Sequence, residues 1–127
     1  MAVVRDFREL KVLERGHQLT LLVYKVTQSF PKEELYGLTS QMRRAAASIP
    51  SNHAEGCGRN SQVELARFVH IAGGSASELE YQLLLANDLG HLNESNYLEL
   101  DKELNEIKRM LYSFEKAAQL NRSRSKV

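Results

Sequence analysis

Within the segment "SIPSNHAEGCGRNSQVE", residues 48–64, His53 and Cys57 stand four positions apart. On a helix that spacing puts both side chains on one face. An imidazole beside a thiol can take its proton, and the thiolate is then a nucleophile. Such a site also needs a third group to orient the imidazole and electropositive surroundings to lower the thiol pKa. No such partner is apparent in the sequence. Two glycines bracket Cys57, so its small size accounts for it better than nucleophilicity does. No catalytic residue is assigned.

Other chemistries fare no better. His17, His53, His70 and His91 are scattered, without a His-Glu-x-x-His spacing or the paired Glu-x-x-His spacings of the di-iron bundles, so no metal is expected. A single cysteine, Cys57, allows no internal disulfide and makes a structural zinc improbable. Gly73-Gly74 lacks the preceding strand and the Lys-Ser/Thr partner of a phosphate loop. Within a helix the pair costs about 1 kcal/mol per glycine relative to alanine, and close contact with a neighbouring helix is the expected return. No cofactor is implied.

A polar set remains. Continuing the apolar seam of the second helix from Ile49 by three reaches Asn52, with Glu55 a turn later. On the third helix Ser75, Ser77, Glu78 and Glu80 cluster after the glycines. Buried carboxylates need partners, so Asn52, Glu55, Ser75 and Glu78 are expected to form a structural network docking helices two and three. A small-molecule pocket there is the alternative.

The elements that position these residues are helical. Leu35, Leu38, Met42, Ala45 and Ile49 form one seam. Leu65, Val69, Ala72, Ala76, Leu79, Leu83 and Ala86 form a second, and Tyr97, Leu100, Leu104, Ile107, Leu111, Phe114 and Ala118 a third. Steps of three and four mark long helices packed at shallow angles. The first segment is less regular: Leu10, Leu13, His17, Leu19, Leu22, Val26 and Phe30. Pro31 suits a first helical turn, followed by Glu33 and Glu34 at the positive end of the dipole. Ser61 with Glu64 reads as a capping box, Gly90 as a left-handed cap, and Asn93 or Ser95 as the next start. Pro50 takes the donor from the Ala46 carbonyl and should kink the second helix. Short joins then predict an all-α, up-and-down antiparallel four-helix bundle over 1–120, with a basic flexible tail at 121–127.

Charge is uneven along the 127 residues. Residues 1–63 carry nine Lys or Arg and six Asp or Glu; residues 64–107 carry two against nine; residues 108–127 carry six against one. Arg43, Arg44, Arg59, Lys108 and Arg109, with Arg122, Arg124 and Lys126 of the tail, are the candidate contacts to nucleic-acid phosphates. No aromatic RNA-recognition platform or recognition-helix signature accompanies them. Apolar side chains outside the seams, Leu21, Val23, Tyr24, Phe68, Ile71, Leu84 and Leu85, predict self-association. No apolar run approaches the roughly 20 residues of a membrane span, and Arg5 and Asp6 interrupt the place of a secretory signal. A cytoplasmic location is expected, with no membrane contact.

"FPKEELYGLTSQMRRAAASIPSNHAEGCGRNSQVELARFVHIAGGSASELEYQLLLANDLG", residues 30–90, resembles the four-helix-bundle proteins encoded in intervening sequences of 23S ribosomal RNA genes. "YGLTSQMRRAAASIPSN", "AEGCGR" and "GSASELE" carry most of the likeness. Residues 6–27 and "RMLYSF" at 109–114 extend it, although Leu13 stands where members often have tryptophan. The resemblance implies a barrel-like homopentamer, like the related accessory proteins of diversity-generating retroelements. Those bind nucleic acid through a positive surface and work with a reverse transcriptase. It therefore implies a non-enzymatic RNA- or DNA-binding protein. The alternatives are a protein-interaction scaffold for a neighbouring enzyme such as a reverse transcriptase, or a small-molecule-binding bundle. The resemblance implies no catalytic residues.

Overall fold

The computed structural model describes the backbone of residues 7–125 and the side chains of residues 8–120. Four helices follow in order: α1 (Phe7–Thr27), α2 (Leu38–Cys57), α3 (Gln62–Asp88) and α4 (Glu94–Ser125), with a 3-10 turn at Lys32–Glu34 before α2. No strand occurs among the described residues. Each helix packs on two neighbours around a square, so that α1 lies diagonal to α3 and α2 diagonal to α4. This is the expected up-and-down four-helix bundle.

The seams of α2, α3 and α4 supply the core. Met42, Ile49, Leu79, Leu83, Leu100, Leu104 and Ile107 have no solvent exposure. Each fully buried side chain of this kind contributes about 1.5–3 kcal/mol of transfer free energy. Two seams differ from expectation. In α1 the buried run is Val12, Gly16, Leu19, Val23 and Val26, whereas Leu10 and His17 face solvent. A clean 4-3-4-3 spacing was hidden because one of its members is a glycine. In α2 the seam passes from Ile49 by four to His53, not by three to Asn52, and Leu35 lies outside the helix, 48% exposed.

Helix ends follow local chemistry. Pro31 opens only the 3-10 turn; Gly37, at φ −115° and ψ −113°, breaks the path, and α2 starts after it. The Ser61 side chain accepts from the Glu64 N–H at 3.3 Å. Gly90 has φ +78°, with His91 N–H donating to the Ala86 carbonyl and Gly90 N–H to that of Asn87. That is the Schellman pattern. Asn93, rather than Ser95, caps α4 by accepting from the Asn96 N–H at 2.7 Å. The backbone of α4 stays helical to Ser125, into the stretch read as tail.

α2 continues across Pro50. Its ring rests against Gly16 of α1: a Cβ placed on Gly16 would lie 3.2 Å from Pro50 Cβ and 3.3 Å from Cδ. Gly56 has the same role between α2 and α3, where an added Cβ would come within 3.0 Å of Phe68 Cβ. The proline–glycine region is therefore packed structure on both sides.

Candidate functional site

His53 and Cys57 project from α2 into the bundle, and both are buried. The His53 ring meets Phe114 of α4 edge to face, with centroids 5.0 Å apart. Neither ring nitrogen has a partner in hydrogen-bonding geometry. Burial disfavours the imidazolium and pushes the His53 pKa down to about 4, offset only in part by the nearby Glu9 main chain. A neutral imidazole sealed from solvent cannot meet a substrate there. The pair belongs to the core.

The expected polar network divides. Asn52 Nδ2 donates to the Ser48 carbonyl at 2.9 Å and to Ser48 Oγ at 2.8 Å, and Ser48 Oγ lies 2.7 Å from Ser75 Oγ of α3. Ser48, absent from the sequence reading, is the link. Glu55 and Glu78 stay outside. Glu55 is exposed and accepts from Arg59 at 2.7 Å; Glu78, also exposed, accepts from Gln82 at 3.1 Å. Their helix azimuths turn them to water, where a carboxylate keeps its hydration.

The predicted phosphate contacts fall on different edges. Arg43 is held against α1, donating to Thr27 Oγ1 at 2.9 Å with its guanidinium over the Tyr24 ring. Arg44 is exposed beside it. Arg59 pairs with Glu55 and covers Phe68, whose ring also carries Arg67. Lys108 of α4 reaches Glu80 of α3 at 3.0 Å, while Arg109 is exposed. α2 and α4 are diagonal, so the Arg43–Arg44 pair and the Lys108–Arg109 pair lie on different helices that do not adjoin within one subunit. The side chains of Arg122, Arg124 and Lys126 lie outside the described residues.

A basic row runs along α4. Lys102, Arg109 and Lys116 recur every seven residues and are all exposed. Tyr112 stands between the last two, 63% exposed, with Lys116 Nζ 5.7 Å from its ring centroid. The sequence reading missed Lys102, Tyr112 and Lys116. Their heptad spacing was the available signal, obscured by the excess of acids in residues 64–107. Several of those acids are already engaged: Glu103 and Glu106 hold Arg15 of α1, which depresses the Glu106 pKa and raises that of the arginine.

Several hollows border α4. A cleft of about 380 Å³ between α1 and α4 is lined by Arg8, Lys11, Met110, Ser113, Phe114 and Ala117. A groove of about 310 Å³ between α3 and α4 runs over Gly73 and Gly74. A Cβ added to either glycine would meet nothing within 4 Å. The close helix contact expected of this pair is therefore not made within the subunit. Among the described residues no three His, Cys, Asp or Glu side chains group as metal ligands, and no helix is long and apolar enough to cross a membrane.

Residues 8–113 match the family model described as 23S rRNA-intervening sequence protein. In three dimensions the chain is similar to a protein of unknown function from the S23 ribosomal protein family of Bacteroides thetaiotaomicron. The TM-score is 0.80 at 21% identity, covering 87% of this chain and 99% of that one. No curated protein matches the sequence.

Proposed function

This chain belongs to the 23S rRNA-intervening sequence protein family, and on that footing we propose that it is a non-enzymatic, self-associating protein that binds nucleic acid, RNA foremost. The exposed row of Lys102, Arg109 and Lys116 around Tyr112 carries this reading. Cations at a seven-residue repeat lie about 10 Å apart along a helix, which lets one face meet several phosphates. An exposed aromatic ring among them offers a stacking surface for an unpaired base. The acids of α3 oppose this only weakly, since Glu64 and Glu80 are paired with Arg67 and Lys108 and salt screens exposed charges beyond roughly 10 Å at 0.1 M. Assembly as a homopentamer in the cytoplasm completes the proposal, on the strength of the family likeness.

Fluorescence anisotropy with a structured ribosomal RNA fragment and with duplex DNA, over a range of salt, tests it. Binding should weaken log-linearly with salt, with slopes of about −0.7 per neutralised phosphate on single strands and −0.9 on duplex DNA. Absence of binding to both at low salt sinks the proposal. A second reading, a scaffold for a neighbouring enzyme, is favoured by Leu35 and Tyr36, which are 48% and 93% exposed at one end of the bundle. Affinity capture from the native cell that recovers no stoichiometric protein partner would dismiss it.

A further inference from the structure

The hollow between α3 and α4 is bounded at both ends by pairs that cross from one helix to the other. His70 Nδ1 lies 2.8 Å from Glu115 Oε1 at one end, and Lys108 Nζ lies 3.0 Å from Glu80 Oε1 at the other. Positions 70 to 80 of α3 and 108 to 115 of α4 span the distance between them, about 10–15 Å at the helical rise. The floor is the bare backbone of Gly73 and Gly74, where an added Cβ would meet nothing within 4 Å. Val69 and Leu111 add apolar surface, Ser77 a hydroxyl and Tyr112 an aromatic ring. At about 310 Å³ the hollow is at the small end of ligand pockets, which run from about 300 to 1,000 Å³. That size suits one flat ring system. The carboxylates on its border are engaged by His70 and Lys108, while Arg109 and Lys116 are exposed on either side of Tyr112 in sequence.

From this arrangement we infer that the hollow seats one unpaired base of a single-stranded nucleic acid, laid on the Gly73–Gly74 backbone beside Tyr112. The inference rests on the nucleic-acid binding proposed above and adds to it the place where a base leaves the strand. A base has two apolar faces and a polar edge. The glycine floor, Leu111 and the Tyr112 ring meet the faces, and Ser77, His70 and Glu115 offer hydrogen-bonding atoms to the edge. Any side chain at 73 or 74 would occupy the place of the ring, which gives two glycines a role mid-helix, where glycine is otherwise unfavourable. Phosphates on either side of the seated base stay outside, within reach of Arg109 and Lys116, which lie about 10 Å apart along α4. A base held in a duplex is stacked and paired and cannot enter, so the hollow selects single strands.

Fluorescence anisotropy on the full chain tests this with three labelled probes: oligoadenylate, an abasic strand of the same length, and duplex DNA. Gly74→Leu fills the hollow without adding charge, and circular dichroism verifies that the variant is folded. It should weaken oligoadenylate binding by about tenfold, the scale of one lost base stack. Its affinity for the abasic strand and for the duplex should stay at the wild-type value, as should the salt slope on each probe, because no phosphate contact changes. Tyr112→Ala, on the opposite rim, should give the same pattern. If Gly74→Leu weakens oligoadenylate and the abasic strand equally, or weakens neither, the base seat is wrong while nucleic-acid binding stands. A change in particle mass on Gly74→Leu, read by light scattering, would assign the hollow to a contact between copies and also overturn the seat. A wild-type protein that binds none of the probes at low salt overturns both readings.

Discussion

The Thr20 hydroxyl of α1 lies 3.2 Å from the Ala46 carbonyl of α2, the acceptor that Pro50 deprives of its helical donor. The same hydroxyl lies 2.8 Å from the Gly16 carbonyl, so one proton is shared between the two. Ala46 is fully buried, and an unsatisfied buried carbonyl costs about 1–3 kcal/mol. Thr20 thus offsets part of the proline's cost from a neighbouring helix. Thr20→Val keeps the shape and removes the donor, and should lower unfolding free energy by about 1–2 kcal/mol. In a Pro50→Ala background the regained N–H can satisfy Ala46, so the same change should cost less. A double-mutant cycle in urea measures that coupling, and equal losses in both backgrounds would refute the link.

Gly16 and Gly56 should reject a methyl group for steric reasons. The Pro50 ring is rigid, and beside Gly56 an added Cβ would also lie 3.3 Å from the Leu65 carbonyl. Overpacking costs about 1–3 kcal/mol, against about 1 kcal/mol gained by replacing a helical glycine with alanine. Gly56→Ala should therefore destabilise the fold, and Gly16→Val more than Gly16→Ala. Denaturation midpoints that rise in these variants would show that the helices can move apart.

His53 makes stability depend on pH. Its folded pKa of about 4 is below the 6.5 of an imidazole in water, so the unfolded chain binds the proton more readily. The neutral ring is tolerated fully above about pH 6.5. Stability then falls as pH drops from there toward 4, by roughly 3 kcal/mol at about 1.36 kcal/mol per unit. Urea titrations of wild type and His53→Leu across this window provide the check. The variant should lose this part of the slope. Near pH 7 it should stay close to wild type, because the only polar interaction removed is the weak one with the Glu9 main chain. A large loss at neutral pH would mean that the imidazole has a bonding role.

The two arginine edges should separate in nucleic-acid binding. Arg109→Gln should reduce the salt slope by about one phosphate's worth and weaken affinity across sequences. Arg44→Gln, on the diagonal helix, should leave both unchanged. Tyr112→Ala should weaken binding to single strands more than to duplexes, since stacking contributes about 1–3 kcal/mol per base. Competition titrations at fixed salt distinguish these cases. An Arg44 effect equal to that of Arg109 would move the interface to α2.

Much of the bundle was legible because its causes are local. Seams at three and four spacing, the Ser61 cap and the positive φ of Gly90 depend on residues within one or two turns. The loss of the Ala46 donor also follows from Pro50 alone. The irregular first seam misled because Gly16, a core position, does not register as apolar, and Leu10 and His17 occupied its apparent place. The second misled at Ile49, where steps of three and four both continue a helical period. One puts Asn52 inside; the other, the observed one, puts His53 there.

By itself, then, the sequence determined the helical periods, the helix ends and the presence of surplus apolar and basic side chains. Tertiary structure alone decided which helices are diagonal. That choice separated Arg43 and Arg44 from Lys108 and Arg109, turned Glu55 and Glu78 to water, and joined Ser48 to Ser75. It also set Gly16 against Pro50 while leaving Gly73 and Gly74 uncovered. The physical reason is that a helical period fixes angles about one axis only, whereas the neighbour met at each angle depends on how all four axes pack together.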